Sequence, residues 1–113
     1  MEVIANELEM MKISNDVENV VHFQECLYTQ DSLYVIMDFM DGGCLADLLD
    51  EEAVVKLSTS EMAYIFRELL QGLDALHNLN LIHRDVKSDN VLFSSAGDVK
   101  LGQYFFEISL ILY

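Results

Sequence analysis

The sequence predicts an α+β fold, and three observations support that prediction. Residues 62–76 carry apolar side chains at helical spacing, directly after a Ser-Thr-Ser-Glu motif at 58–61 that is typical of a helix N-terminus. Residues 20–28 and 33–39 are rich in β-branched, aromatic and large apolar residues, and the four polar residues between them favour a hairpin turn. The chain contains no proline, repeat or low-complexity stretch, so we expect one unit without a linker.

The composition and net charge of the chain argue against nucleic acid and membranes as binding partners. A hydrophobic fraction of 52% is typical of a globular chain, and the net charge of −14 would repel the phosphates of nucleic acid or of an anionic membrane. No apolar run approaches the roughly 20 residues that span a bilayer, and residues 1–7 lack the layout of a signal peptide. We therefore expect a cytoplasmic protein with no nucleic-acid or membrane partner. Cys26 and Cys44 show no metal-ligand spacing and are predicted to be reduced thiols, with a disulfide as the alternative.

The first half of the chain predicts a helix followed by the strand hairpin. Ile4, Leu8 and Met11 recur at helical spacing within residues 2–13, and a polar pair at 15–16 ends the pattern. After the hairpin, two glycines at 42–43 end the second strand. Leucines at 45, 48 and 49 then indicate a short helix.

The second half predicts one long helix and a short hairpin around a polar loop. At the helix start, the Ser58 hydroxyl and the Glu61 carboxylate can each accept a backbone N–H that has no partner within the helix, which is a capping box. The face predicted to be apolar comprises Met62, Phe66, Leu69, Leu73 and Leu76. Apolar pieces at 91–93 and 99–101, on either side of a turn at 96–98, predict the hairpin.

The polar loop at 83–90 reads His-Arg-Asp-Val-Lys-Ser-Asp-Asn. It is similar to the catalytic loop of protein kinases at every defining position, and its Lys-Ser-Asp-Asn run resembles the PAK-type serine/threonine kinases. The resemblance implies that Asp85 accepts the proton of the substrate hydroxyl, that Lys87 neutralises charge on the γ-phosphate, and that Asn90 binds Mg²⁺. The alternative interpretation is a chance polar loop between strands.

The same resemblance extends backwards in register. Residues 33–39 look like the strand that enters the kinase hinge, which implies that Met37 is the gatekeeper of the ATP pocket. Backbone groups of Asp38 and Met40 would then contact adenine, and Leu92 would form the floor of the pocket. Taken alone, Met37 is equally consistent with an ordinary core methionine.

Residues 6–11 resemble the C helix of a kinase, which places Glu7 at the position of the family's ion-pairing glutamate. A glutamate on an amphipathic helix is otherwise a solvated charge, so this assignment rests on the register alone. The register also implies a regulatory spine of stacked side chains, formed by Met11, Phe23, His83 and Tyr104.

Three departures from the family pattern affect catalysis. No GxGxxG motif and no lysine precede Glu7 in this sequence. Gln103 stands where the family has its metal-binding aspartate, and an amide offers one neutral oxygen where magnesium is held mainly by carboxylates and phosphates. We therefore expect a catalytically silent chain, with weak or absent binding of ATP and Mg²⁺.

The resemblance implies a partial kinase-like domain over residues 1–113, with an N-lobe remnant at 1–40, the start of a truncated C-lobe at 41–101 and a divergent apolar tail at 102–113. The expected function is that of a serine/threonine kinase fragment, whose intact relatives act on protein substrates. The alternatives are a pseudokinase-like regulator, which binds a kinase or self-associates through an exposed helix face, and an unrelated acidic helical module. We also expect the tail to fold back over the long helix.

Overall fold

The computed structural model describes residues 2–53, 56–102 and 109–112, with the backbone alone described for 2–7 and 109–112. Three helices, a 3₁₀ turn and five strands follow one another in this part of the chain, which confirms the α+β prediction. Their bounds are α1 Glu2–Ser14, β1 Phe23–Tyr28, β2 Leu33–Met37, α2 Leu45–Leu48, α3 Thr59–Asn78, the 3₁₀ turn Ser88–Asn90, β3 Val91–Phe93, β4 Val99–Leu101 and β5 Ser109–Leu112.

The first hairpin forms where the sequence predicts it, although its first strand is shorter. β1 and β2 pair antiparallel from Phe23 opposite Met37 to Tyr28 opposite Leu33, and the backbone N–H of Thr29 donates to the carbonyl of Ser32 across the turn. The prediction that the first strand begins at residue 20 is wrong. Val20 is fully buried and makes an isolated bridge to a residue of β4, so its apolar character serves the core.

For residues 109–112, the prediction that the tail covers the long helix is also wrong, and the remainder of the tail after residue 102 lies outside the described residues. The backbone of β5 pairs in parallel with β2, with Ser109 opposite Tyr34 and Leu112 opposite Met37. β1 occupies one edge of β2, so the other edge presents backbone N–H and C=O groups that need partners. Residues 109–112 provide those partners as a third strand.

The start of α3 confirms the predicted capping box. The hydroxyl of Ser58 accepts from the backbone N–H of Glu61 at 3.1 Å, and the Glu61 carboxylate accepts from the backbone N–H of Ser58 at 3.0 Å. These two bonds hold the chain at the point where the helix must begin, because two orphan N–H groups find partners there.

The apolar face of α3 is only partly as predicted. Leu69 and Leu76 are buried, together with Ile65 and Gly72. Phe66, however, is 53% exposed, so the predicted apolar face is buried only in part. The helix carries apolar residues on more than one face, and contact with β4 and with the segment before β1 selects the face that contains Ile65.

Two clusters of buried side chains make up the core, and β3 lies between them. The first cluster joins α3 to the hairpin of β3 and β4 and includes Val20, Leu69 and Leu101, with Phe93 packed against it. The second joins α1 to the first hairpin and has Leu92 packed against it. Because successive side chains of a strand point to opposite faces, β3 contributes Val91 and Phe93 to the first cluster and Leu92 to the second.

Two further features bear on the sequence-based expectations. Within the described residues, no helix is both long enough and apolar enough to cross a membrane. The thiols of Cys26 and Cys44 are both free and half-buried, so the predicted reduced state fits the structure.

Candidate active site

The structure brings together the three polar side chains predicted from the loop at 83–90. The Asn90 amide nitrogen donates to the Asp85 backbone carbonyl and to its carboxylate Oδ2, both at 2.9 Å. The Lys87 ammonium lies 3.7 Å from the same Oδ2. The 3₁₀ turn brings Asn90 back towards this carboxylate, because the Asn90 N–H donates to the carbonyl of Lys87 at 2.9 Å.

His83 ties this loop to the end of β4. Its Nε2 lies 2.6 Å from the carbonyl oxygen of Gly102, and its Nδ1 accepts from the backbone N–H of Asp85 at 3.2 Å. A carbonyl can only accept and a backbone N–H can only donate, so the neutral ring must carry its proton on Nε2. The neutral imidazole therefore orients the backbone of Asp85, a contact that the sequence pattern did not reveal.

Backbone conformation between these two residues is unusual. Arg84 has φ of 74°, in the left-handed region that residues other than glycine rarely adopt. Such a conformation costs roughly 1–3 kcal/mol and persists only where neighbouring contacts hold it. The hydrogen bonds that His83 makes to Asp85 and Gly102 supply those contacts. The strained residue, Arg84, therefore directly precedes the candidate catalytic residue Asp85.

Asn90 is the described part of the predicted magnesium site, and its amide oxygen is left to act as a ligand because its amide nitrogen already donates to Asp85. A methyl group at Gly102 would lie 3.6 Å from the Asn90 amide oxygen, so that oxygen faces the backbone just before residue 103. Magnesium sites in phosphate-transferring proteins also use one or two carboxylates. Asp85 is not counted among them, because its carboxylate is assigned to the substrate hydroxyl and already accepts from Asn90. Gln103 lies outside the described residues. Among those described, no cluster of three His, Cys, Asp or Glu side chains forms a metal site.

Residues predicted to line the adenine pocket lie in one neighbourhood. Met37 is 5% exposed, and Met40 and Leu92 pack against the same apolar cluster. The backbone N–H of Asp38 donates to the carbonyl of His22 at 3.0 Å. That N–H is therefore already used, so the carbonyl is the Asp38 backbone group left to meet a ligand, and the predicted contact of the Met40 backbone with adenine stays a prediction.

The Asp38 carboxylate is held within the protein as well. It lies 3.7 Å from Nδ1 of His22 and accepts a hydrogen bond from the side chain of Gln24. These contacts fix the strand end that leads into the predicted hinge.

Two other predictions are only partly covered by the described residues. Glu7 lies on α1, but its side chain is outside the described residues, so its ion-pairing role stays a prediction. Of the predicted spine, Met11 and Phe23 pack in the same cluster and His83 is placed by its bond to the backbone, whereas Tyr104 is outside the described residues.

A clamp between the hinge region and the second hairpin was missed from the sequence. The carboxylate oxygens of Asp41 accept from the backbone N–H and from the hydroxyl of Ser95, each at 2.7 Å. These bonds, the backbone one first, hold the pKa of the Asp41 carboxyl below its ordinary value. The two residues are 54 positions apart, so no local pattern signals the contact.

The strand that follows the catalytic loop is attached to the same region. Gly42 N–H donates to the carbonyl of Phe93 at 2.7 Å, and the Phe93 N–H donates to the carbonyl of Gly43 at 2.9 Å. A side chain at position 42 would meet the Phe93 carbonyl oxygen at 2.8 Å, so glycine is required for this close approach.

A long helix, then a loop in which Asp, Lys and Asn side chains converge, then a short hairpin is the arrangement of a protein kinase catalytic centre. In agreement, the protein kinase domain family matches residues 1–106, so the chain belongs to that family. The relatives that it matches are PAK-type serine/threonine kinases, which confirms the resemblance drawn from the loop.

Three relatives illustrate the match. Serine/threonine-protein kinase pakA of Dictyostelium discoideum is 40% identical over 110 residues, which cover 97% of this chain and 9% of that protein. SKM1 of Saccharomyces cerevisiae is 45% identical over 119 residues, covering 96% of this chain and 18% of the relative. CLA4 of Eremothecium gossypii is 44% identical over 111 residues, covering 93% and 14%. The chain therefore spans less than a fifth of the length of each.

Proposed function

We propose that residues 83–90 are the catalytic loop of a serine/threonine kinase domain and that this chain, by itself, transfers no phosphate efficiently. The observation that supports the first part is the convergence of Asn90 and Lys87 on the carboxylate of Asp85. Acting in the intact domain, Asp85 would orient the substrate hydroxyl and accept its proton. Lys87 would offset charge near the transferred phosphate.

Mg²⁺ and ATP are the cofactors that these residues suit. The Asn90 amide oxygen, with its nitrogen already donating to Asp85, is left to act as a metal ligand. When bound, Mg²⁺ neutralises the charge of the phosphates. Met37 and Leu92 are proposed to hold the adenine ring by apolar contact, and the carbonyl of Asp38 is proposed to accept a hydrogen bond from it.

We propose that the chain has little activity because of the residue at its second predicted metal-binding position, Gln103. Gln103 replaces a carboxylate, and removal of one preorganised charged contact typically lowers turnover by about 10²–10³-fold. The 113 residues also contain no GxGxxG motif to cover the phosphates. Phosphoryl transfer depends almost entirely on positioning and electrostatics, so these deficits multiply.

A pair of grafts tests the two parts separately. In the first graft, residues 83–102 of this chain replace the corresponding segment of an intact PAK-type kinase. The second graft extends the replaced segment by one residue, to 83–103. We expect the first graft to phosphorylate a serine-containing protein, because the host supplies its own aspartate at the next position. We expect the second to lose about 10²–10³-fold in turnover, because it brings Gln103.

Controls make the graft decisive. Asp85→Asn in the first graft should abolish transfer, whereas Asp98→Asn, at a carboxylate in the hairpin turn, should not. A first graft that is inactive, or as active with Asp85→Asn, contradicts the catalytic-loop assignment. The isolated 113-residue chain should transfer no more phosphate than its own Asp85→Asn variant, and Asp85-dependent transfer would refute the proposed silence.

A regulator that binds a kinase is the second candidate, and one observation favours it. Phe66 and Leu70 lie one turn apart on α3 and are 53% and 65% exposed, which is a large apolar surface for a helix. If this face binds an intact PAK-type kinase, Phe66→Asp and Leu70→Asp should abolish co-precipitation. Tyr28→Asp, at an aromatic that is 63% exposed on β1, is the matched control and should leave it unchanged.

A further inference from the structure

A second concave surface lies away from the catalytic loop. It has a volume of about 380 Å³ and opens between α2, the first turns of α3 and the hairpin of β3 and β4. Its apolar lining consists of Leu48, Leu57, Tyr64, Ile65, Phe93 and Val99. This volume falls in the range of sites that enclose small ligands or anchoring side chains. We call this surface the hairpin groove, because the hairpin of β3 and β4 forms one of its walls.

The walls of the hairpin groove are set by contacts across the fold. The Tyr64 hydroxyl donates to the carbonyl of Gly97 at 2.9 Å, which joins α3 to the hairpin turn. Ile65 is 4% exposed and Val99 is 3% exposed, so the base belongs to the packed core. Tyr64 itself is 46% exposed and forms part of the accessible wall.

Among the described residues that line the groove, the charged groups are carboxylates. Glu61 stands at the start of α3 and Asp98 in the hairpin turn, and both are solvent-exposed. The hydrogen bond from the Ser58 backbone N–H is the main cause that lowers the pKa of Glu61, so this group is anionic at neutral pH.

The surrounding surface has the same sign. Asp47 lies on α2, and acidic residues at 50, 51 and 52 follow it. Lys56, in the same connection, directs its ammonium to the backbone carbonyl of Glu51 at 3.1 Å. One lysine among these acids leaves the potential over the groove negative.

We infer that the hairpin groove docks a segment of another protein that carries an apolar anchor flanked by lysine or arginine residues. The apolar base takes the anchor, and the carboxylates at the rim attract the flanking cations. An acidic segment would be repelled. A second copy of this chain is also disfavoured, because it carries a net charge of −14 with only 6 Lys and Arg residues.

This groove is separate from the candidate catalytic centre yet shares a strand with it. On β3, Phe93 lines the groove while Leu92 packs towards the predicted nucleotide side. A segment docked in the groove therefore leaves the loop at 83–90 open to a substrate hydroxyl. The inference does not depend on phosphoryl transfer by this chain and is tested without it.

Fluorescence polarisation with designed peptides tests the inference. The probe is a fluorescein-labelled peptide that carries a pair of leucines beside a run of arginines, with serine and glycine elsewhere. We expect it to bind the 113-residue chain with a Kd of about 10–100 µM. Replacing the leucines by serine, or the arginines by glutamate, should remove binding. Equal binding of any of these control peptides overturns the inference, as does failure of the probe to bind.

Variants of the protein separate the groove from general electrostatic attraction. Glu61→Gln with Asp98→Asn removes both rim charges, and each new amide keeps an oxygen that can accept the existing hydrogen bonds. We expect affinity to fall about three- to tenfold. Glu25→Gln with Asp31→Asn changes the net charge equally at exposed sites on the first hairpin and should leave affinity unchanged. Equal effects of the two double variants would overturn the assignment to the groove.

Discussion

Gly72→Ala on α3 should destabilise the protein, although alanine is the better helix former. A methyl group at this position would lie 2.8 Å from the Asn19 Cβ, closer than the 3.4 Å at which ordinary contact begins. Asn19 has little freedom to move away. Its side-chain amide donates to Glu68 at 2.7 Å and to the Val99 carbonyl at 3.2 Å, and its own carbonyl accepts from the N–H of Leu101 at 2.7 Å.

The two opposing effects can be compared directly. Alanine gains about 1 kcal/mol of helix propensity over glycine. Overpacking of a site whose neighbours cannot yield costs about 1–3 kcal/mol. The expected net loss in the free energy of unfolding is about 1 kcal/mol, which urea denaturation followed by circular dichroism resolves and which lowers the Tm by roughly 4 °C.

A second background isolates the cause. Asn19→Gly removes the Cβ that the new methyl group would meet, so Gly72→Ala in that background should be neutral or stabilising by up to about 1 kcal/mol. The difference between the two backgrounds measures the steric contact alone. Stabilisation by Gly72→Ala in the otherwise unchanged protein would refute the reasoning, since helix propensity would then dominate.

Two further predictions follow from burial and from the clamp between the hinge region and the second hairpin. Leu101→Ala should lower the free energy of unfolding by about 2–5 kcal/mol in urea denaturation, because Leu101 is fully buried, whereas Leu27→Ala at a 45% exposed site should cost less than about 1 kcal/mol. Asp41→Asn should lower the free energy of unfolding less at low pH than at neutral pH. The pKa of Asp41 is lowered in the folded protein, so its stabilising contribution is present above the ordinary pKa of 3.8 and is lost as the pH falls through the folded-state pKa. Denaturation of both proteins between about pH 6 and pH 3 measures this, and a difference independent of pH would show that the bonds to Ser95 do not favour the charged form.

The sequence correctly predicted the structural features that are formed by hydrogen bonds between residues close together in the chain. The capping box at Ser58 and Glu61 is made by residues three apart, and both of its hydrogen bonds form as predicted. The first hairpin turn is likewise closed by Thr29 and Ser32. Both features depend on backbone groups that neighbouring side chains or carbonyls can satisfy, so a few consecutive residues suffice to predict them.

Features set by distant contacts were predicted less well. Phe66 and Ile65 are adjacent apolar residues on α3, and only packing against the rest of the fold decides which is buried. The position of β5 depends on an open edge of β2, which no pattern within the tail indicates. A periodicity identifies an apolar face but not the surface that it meets.

The candidate site shows the same division. The resemblance of residues 83–90 to a kinase catalytic loop implied that Asp85, Lys87 and Asn90 serve one site. Their side chains do lie together, whereas their chemical roles stay predictions. The links that orient this loop come from elsewhere: His83 bonds to the carbonyl of Gly102, 19 residues away. A motif therefore predicts which groups converge, but the contacts that fix their orientation belong to the whole fold.

The second hairpin is the element on which both proposed sites depend. Leu92 faces the predicted nucleotide side and Phe93 faces the hairpin groove, while the strand's backbone bonds to residues 42 and 43 hold it against the predicted hinge. A displacement of β3 moves the side chains on both of its faces together, because they alternate along a single three-residue backbone. A ligand that fills the hairpin groove should therefore alter the environment of Leu92, even though it touches neither Asp85 nor Asn90.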